Sequence, residues 1–359
     1  MIQNHAKIAI KIGSNVLTQS DGTLDLQRMA ALTDQIANLH QQGIEIIIIS
    51  SGAVASGRSE LKLSKKLDSV EQRQLFSAVG QAKLINRYYE LFRKHDIAVG
   101  QVLTTKENFS TRRHYLNQRN CIQVMIDNGV IPIVNENDTI SVSELMFTDN
   151  DELSGLIASM IDAKLLIILT NVDGIFDGDP SLPTSKTIPV IQHNDNLSNY
   201  IKTSKSTFGR GGMLTKTTIA HKIADEGIEV VIANGKRDHV LTDLLTGNNV
   251  PCTRFVPSAD NVSSIKKWIA HSEGFAKGEL HVNALAAKAL CGDKAVSLLP
   301  IGIEDVVGNF EKDDIVKIIA PGQHSLGVGK VQIDSTKARS LIGKKRQKPI
   351  VHYDYLYLD

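Results

Sequence analysis

The chain is short of several features that would narrow its class quickly, and each shortage removes an alternative. Cys121, Cys252 and Cys291 are odd in number, far apart and in no CxxC pair, which argues against a disulfide framework or a thiolate zinc site and fits a reducing, cytoplasmic compartment. Apolar runs such as Ile46 to Ile49 fall far below the ~20 residues of a membrane span, and the polar stretch Met1 to Lys7 predicts no signal peptide or anchor. Forty basic against thirty-nine acidic residues leave a formal net charge of +1, so no global field points to a polyanion or a membrane surface. The eleven histidines show no HExxH or paired spacing, so no metal site is expected, and lone ones such as His40 and His221 read as helix-surface residues. There is no GxSxG nucleophile elbow, no cysteine in a nucleophile context, no internal repeat and no low-complexity tract.

What the chain does have is alternation. From Lys7 to about Phe255, short β-branched runs alternate with helical periodicities, which predicts a doubly wound, mostly parallel α/β sheet covered by helices on both faces. Lys7 to Ile12 and Ile44 to Ser50 read as buried strands, because a run of isoleucines has no polar side to give to water. Further strands are expected near Ile97 to Leu103, Val130 to Val134, Leu165 to Thr170 and Glu229 to Ala233. Leu26, Met29, Thr33, Ile36 and Leu39 recur at steps of three and four and mark a helix closed by Gly43. Ser181 to Thr207, rich in Ser, Thr, Asn and Pro, reads as a long excursion near the site or a subunit contact. Residues 1–256 are expected to form one domain and 257–277 a linker. From Gly278 to Asp359, short strands between glycine-rich turns predict a small β-barrel or sandwich.

Five polar, small-residue segments stand out, the first four at or just after the carboxyl ends of strands, where such a sheet binds ligands. Lys11-Ile12-Gly13-Ser14 closes the first strand with a tight turn and a lysine, suited to an anion or simply a solvated turn. Ser50-Ser51-Gly52-Ala53 follows the isoleucine strand; it can bind an anionic group or only cap a helix. Asn135-Glu136-Asn137-Asp138, followed by Thr148 to Ser154, gathers more carboxylates and amides than a core tolerates, so it lines either a polar cavity or a solvated loop. Thr170-Asn171 to Phe176 could cradle a nucleotide through backbone and apolar contacts, or be no more than a common turn. In Gly209 to Lys216, three glycines precede a helix and Lys216 lies one turn inside it, an arrangement that suits a phosphate; a flexible linker is the alternative, which the helical pattern at Ile219, Ile223 and Ala224 disfavours.

Taken in this order, these motifs, together with Ala78-Val79-Gly80-Gln81 and the run through Gly57 to Arg58, resemble the amino acid kinase superfamily across residues 7 to 255. Ser297 to Pro300, Gly302-Ile303 and Gly308 to Phe310 resemble a PUA domain, a small module best known from RNA-modifying enzymes. The pairing of the two is similar to superfamily members that act on free glutamate. The resemblance implies transfer of the γ-phosphate of ATP, with Mg²⁺, to the side-chain carboxylate of L-glutamate, giving L-glutamyl 5-phosphate, the first step of proline biosynthesis. Carried across, Lys11 and Lys216 would contact phosphates and Asp151 would organise the lysines. Ser51, Gly52, Asn135, Asp138 and Asn150 would bind glutamate. Gly13, Ser14, Thr170, Asn171, Arg210, Gly211, Gly212, Met213, Leu214 and Thr215 would surround the nucleotide. Relatives usually carry Asp where Asn171 stands and Thr where Arg210 stands, departures that bear on nucleotide contacts rather than on the reaction.

The resemblance also implies a homo-oligomer, dimer or tetramer, and inhibition by proline. RNA contact through the tail, at Lys344, Lys345, Arg346 and Lys348, is a further expectation, although Gly278 to Asp359 as a whole has no basic footprint. A glutamate side chain, with a reference pKa near ~4.3, is already ionised at neutral pH, so the chemistry needs no general base and the missing catalytic histidine is accounted for.

Overall fold

A computed structural model of the chain describes residues 6–61, 67–140, 147, 150–178, 182, 184–192, 195, 213–259, 263–292 and 295–358. They fall into two compact units, Met1–Glu107 with Asn117–Asn261, and Asn108–Leu116 with Val262–Asp359.

The first unit is built on an eight-stranded sheet. In chain order its elements are β1 (Lys7–Ile12), α1 (Ser14–Leu17), α2 (Leu26–Gln41), β2 (Glu45–Ser50), α3 (Ala53–Glu60), α4 (Ser69–Arg93) and β3 (Val99–Thr104). After α5 (Glu107–Ser110) and α6 (Arg112–Asp127), of which residues 108–116 belong to the second unit, come β4 (Ile131–Glu136), α7 (Asn150–Met160), β5 (Leu165–Thr170), β6 (Val190–Ile191), α8 (Met213–Asp225), β7 (Glu229–Asn234), α9 (Val240–Thr246) and β8 (Cys252–Phe255). The sheet order is β3-β4-β2-β1-β5-β7-β8-β6. Every pair is parallel except β7 with β8. The isoleucine-rich strands are central, with β1 between β2 and β5, as runs buried on both faces require. After β4 the chain crosses β2 and β1 to lay down β5, and this change of direction opens a crevice at the carboxyl ends of the middle strands.

Alternation along β1 divides its side chains between two faces. Ile8, Ile10 and Ile12 join Ile46, Ile48, Ile133 and Ile167 in a core that also takes in Met29, Leu32 and Ile36 of α2 and Leu84, Tyr88 and Phe92 of α4. Lys11 therefore faces the other side, where α7 and α8 pack. The helix starts follow ordinary capping chemistry. Asp25 accepts from the backbone N–H of Arg28 ahead of α2, and Asp68 with Glu71 forms a reciprocal capping box on α4. Gly52 caps α3 with φ +103°, a left-handed conformation that favours glycine.

Two segments carry more order than the periodicity suggested. Thr187 and Phe176 form a bridge, and Val190–Ile191 pairs with β8, so part of the expected excursion belongs to the sheet edge. Cys252–Phe255 is a strand of four residues, too short to show a period in the sequence, and it runs antiparallel to β7.

The second unit has α10 (Ser264–Ala270), β9 (Gly278–Val282), α11 (Ala284–Leu290), β10 (Ile303–Gly308), β11 (Ile315–Ile319), β12 (Ser325–Val331), α12 (Ser335–Leu341) and β13 (Val351–Leu358). Its strands form a separate sheet, β10-β9-β11-β12-β13, around a core that includes Leu280, Val282, Phe310, Val316, Ile318 and Val351. Trp268 of α10 donates its indole N–H to the Phe109 carbonyl at 2.9 Å, and Arg112 lies over the rings of both Tyr115 and Trp268. These contacts tie residues 108–116 into this unit. None of the described helices is long and apolar enough to cross a bilayer.

Candidate active site

Backbone hydrogen bonds gather the carboxyl-end turns of the sheet. Gly13 donates to the Leu169 carbonyl at 3.1 Å and Ser51 to the Ile12 carbonyl at 3.1 Å. A Cβ on Gly13 would lie 3.0 Å from that same Leu169 oxygen and 3.4 Å from the Lys11 ammonium, so the close approach of the first turn to β5 depends on glycine. The turns open onto a cavity of about 650 Å³ lined by residues of β1, α3, α4, β4, α7 and α8, among them Lys11, Ser51, Arg73, Asp138, Asp151 and Lys216. That is a volume ordinary for a small-molecule site.

Asp151, in the first turn of α7, is fully buried. One of its oxygens meets the Lys11 ammonium at 2.5 Å and the other meets Lys216 at 2.7 Å. Burial alone would raise its pKa, but the two lysine charges more than offset this and hold it below the ordinary carboxylate value. Two ammonium groups from opposite ends of the first unit's sequence are thus held side by side by one carboxylate. The trio carries one net positive charge.

Beside it is a web of amides. Asn150 donates to the Ser50 carbonyl, the Ser51 hydroxyl and the Asn135 side-chain oxygen at 3.1, 3.0 and 3.2 Å. Asn135 in turn donates to Gln81 at 2.8 Å and accepts from the Glu136 backbone N–H at 2.9 Å. Ser50, below this web, is hydrogen-bonded to the buried Tyr88 hydroxyl at 2.9 Å.

A second charged cluster lines the same cavity. Arg73 of α4 donates through Nε to Asp138 at 2.7 Å, and its Nη2 also touches Asp138 and lies 3.1 Å from Glu136. Burial pushes the Asp138 pKa above its ordinary value even though Arg73 pulls the other way.

The structure brings Lys11, Gly13, Ser14, Ser51, Gly52, Asn135, Asp138, Asn150, Asp151, Thr170 and Lys216 to one cavity. Asn171 is exposed just beyond it, its amide oxygen 3.4 Å from the Thr170 hydroxyl. Met213, Leu214 and Thr215 form the first turn of α8 ahead of Lys216, with Leu214 exposed. Arg210, Gly211, Gly212 and Asp149 lie outside the described residues. Arg73 carries no signal of its own in the sequence, because a charged residue near the start of a polar helix is ordinarily a solvated one, and Gln81 stands there only as part of the Ala78-Val79-Gly80-Gln81 motif. Glu136 was noted only as part of an acidic run.

A doubly wound sheet with two lysines and a carboxylate at its switch point defines the class. The sequence pattern of the amino acid kinase family matches residues 6–234, and the chain belongs to that family; the pattern of the PUA domain matches residues 278–353. Among curated relatives, the glutamate 5-kinase of Bacteroides thetaiotaomicron is 68% identical over the full length of both chains. That of Chlorobaculum tepidum is 46% identical over 99% of this chain and 98% of its own. Among solved structures, carbamate kinase from Giardia lamblia superposes with a TM-score of 0.52 at 17% identity, covering 72% of this chain and all of the other. That likeness speaks for the fold.

Proposed function

We propose that this chain is an ATP-dependent glutamate 5-kinase, transferring the γ-phosphate of ATP to the side-chain carboxylate of L-glutamate to give L-glutamyl 5-phosphate for proline biosynthesis. The observation that carries this reading is the meeting of Lys11 and Lys216 on Asp151 in a cavity whose other charged cluster is anionic. It agrees with full-length kinship to curated enzymes of that name.

The nucleophile is ionised at neutral pH, so the obstacle is repulsion between one anion and another rather than deprotonation. In this reading Lys11 and Lys216, fixed by Asp151, draw the transferring phosphoryl group and the carboxylate together and neutralise charge spread over the phosphoryl oxygens. The amides of Asn135 and Asn150 and the Ser51 hydroxyl orient the acceptor for in-line attack. Asp138 takes the acceptor's ammonium. Thr170, Asn171, the Gly13-Ser14 turn and the start of α8 surround the nucleotide. Mg²⁺ would be supplied with the triphosphate and would add positive charge against its oxygens. Among the described residues no three His, Cys, Asp or Glu side chains are grouped to hold a metal, and Mg²⁺ on nucleotides keeps mainly phosphate and water oxygens.

Proline carries an amine and a carboxylate on one carbon, as glutamate does, so the cluster at Asp138 would receive it in competition. Feedback inhibition by proline, a dimer or tetramer, and a cytoplasmic location in keeping with free thiols at Cys121, Cys252 and Cys291 belong to the same reading. Lys344, Lys345, Arg346 and Lys348 are all exposed and would be the contact if the PUA domain binds RNA; a salt-dependent gel shift on the full chain tests this. The deciding experiment for the enzyme is trapping of the product as a hydroxamate from purified protein, L-glutamate and MgATP. Absence of hydroxamate with glutamate, alongside activity on aspartate or N-acetylglutamate, would move the chain to another acceptor.

A further inference from the structure

The cluster of Arg73, Glu136 and Asp138 is more elaborate than a single aspartate meeting an ammonium requires. Glu136 and Asp138 are both buried, at 4% and 8% exposure, and both touch the same Nη2 of Arg73. Glu136 is held at its other oxygen too, which accepts from the Phe147 backbone N–H at 3.0 Å. The turn carrying Asp138 is pinned on two sides. Asn137 donates its backbone N–H to the Thr104 carbonyl at 2.7 Å. Gln74, next to Arg73, donates to the Thr139 carbonyl at 3.0 Å. The first turns of α4 and the turn after β4 are therefore one mechanical unit, with the guanidinium as the joint between them.

We propose that Arg73 is a positioning residue for recognition of the acceptor's amine: its guanidinium keeps Glu136 and Asp138 side by side as two ionised carboxylates, so that the cluster presents one net negative charge to the substrate ammonium. The inference rests on the glutamate reading and adds to it the device that keeps the amine site charged. Two buried carboxylates in contact with one point do not both stay ionised without a cation between them; one takes up a proton, and the pair then loses most of its hold on an ammonium. Burial already works in this direction on Asp138. With Arg73 present the cavity is dipolar. The trio of Lys11, Asp151 and Lys216 carries one net positive charge and suits an anionic group; the trio at Arg73 carries one net negative charge and suits a cation. A free amino acid with a second, side-chain carboxylate matches both, whereas an N-acylated one leaves the negative trio without a counter-charge.

The other charged groups facing this cavity are Lys11 from β1, Arg58 from α3, Asp151 from α7 and Lys216 from α8, and none of the described lining residues is a histidine or a cysteine. Histidine and cysteine are the side chains whose reference pKa values lie nearest pH 6 to 8. A pH dependence appearing in that window on removal of Arg73 therefore reports the carboxylate pair.

The test uses the full chain at saturating MgATP, with KM and kcat for L-glutamate measured from pH 6 to 8.5 in wild type, Arg73→Met, Arg73→Lys and Arg73→Met combined with Glu136→Gln. Arg73→Met is expected to raise KM about 30-fold or more at pH 7 with kcat within about threefold, a loss of ground-state binding. Its KM should climb further by up to about tenfold per pH unit as pH falls, because the ion pair that kept both carboxylates charged is gone. Arg73→Lys, which restores the charge without the fork, should recover most of the KM and a flat profile. Glu136→Gln in the Arg73→Met background should flatten the profile again by removing the partner that shares the proton. A KM for Arg73→Met within threefold of wild type, or a raised KM that is the same at every pH and is not recovered by lysine, overturns the inference. If Arg73→Met does not fold, Arg73→Lys decides alone: a modest rise in KM at unchanged kcat supports the assignment, and a fall in kcat at unchanged KM refutes it. Failure of the wild type itself to use glutamate would instead overturn the substrate reading, so the two failures are distinguishable.

Discussion

Replacing Asp151 with asparagine changes one atom of a side chain and removes the charge on which two lysines meet. The carboxylate is fully buried and lies 2.5 Å from Lys11 and 2.7 Å from Lys216. At an effective dielectric constant near 20, each ion contact at such distances is worth about 6 kcal/mol before desolvation of the carboxylate is subtracted. Asparagine keeps an acceptor for one lysine but turns an N–H donor toward the other, so one ammonium is left buried and opposed. Removing one partner of a buried ionic cluster costs about 3–5 kcal/mol, which in a domain of this size corresponds to a melting temperature roughly 10 °C lower. With the lysines no longer aligned on the phosphoryl group, kcat should fall by about 10²-fold, equivalent to about 2.7 kcal/mol of lost transition-state stabilisation. The sign of the pH dependence is fixed by the depressed pKa of Asp151. Its contribution to stability is fully present above the unfolded value, near 3.8, and disappears as pH falls through the lower folded value. The stability gap between wild type and Asp151→Asn should therefore be constant from pH 6 to 8 and close only in acid. Thermal unfolding and steady-state kinetics on the same preparations check all three. A variant with wild-type melting temperature and kcat would show that the lysines do not depend on Asp151 for their placement.

Lys216→Ala and Lys11→Ala are each expected to lower kcat by about 10²-fold or more, the loss of a charge that acts on the transferring phosphoryl group; wild-type turnover in either purified variant would remove that lysine from the chemistry. Asp138→Ala should act on the acceptor, raising KM for glutamate while KM for ATP stays near wild type, and an unchanged glutamate KM would take Asp138 out of the site. Gly80→Ala tests the wall of the cavity: a Cβ there would sit 1.8 Å from the Ala53 carbonyl and 2.3 Å from the Gly57 nitrogen, so α3 and α4 must separate. The overpacking should cost about 1–3 kcal/mol and raise KM for glutamate, because α3 and the first turns of α4 line the site. A variant with unaltered melting temperature would mean that this helix contact is not close-packed in solution.

The elements were largely legible in the sequence because their signals are local. The isoleucine and leucine runs of β1, β2 and β5 have no polar face to expose, so they had to be central and buried, and they are. Polar turns after such strands had to lie at their carboxyl ends, and from that position Lys11, Ser51, Asn135, Asp138 and Thr170 could be proposed together before any contact was known. The four-residue β8 spans only two repeats of the strand period, too few to identify it from sequence, and its antiparallel direction is set by where the chain re-enters the sheet.

Partnership is what only the tertiary structure decided. Lys11 meets Lys216 because strand alternation turns Lys11 toward the face on which α7 and α8 pack, and the buried start of α7 then places Asp151 between them. Arg73 is the clearer case: in the sequence it is one polar residue among several near the start of α4, and nothing local distinguishes it from a solvated arginine. It becomes part of the site only because α4 packs against the turn after β4, bringing one guanidinium to two carboxylates that could not both stay charged in its absence. Sequence sets which groups can be charged and which strands must be buried; the packing of distant helices on one sheet sets which charges must share a cavity.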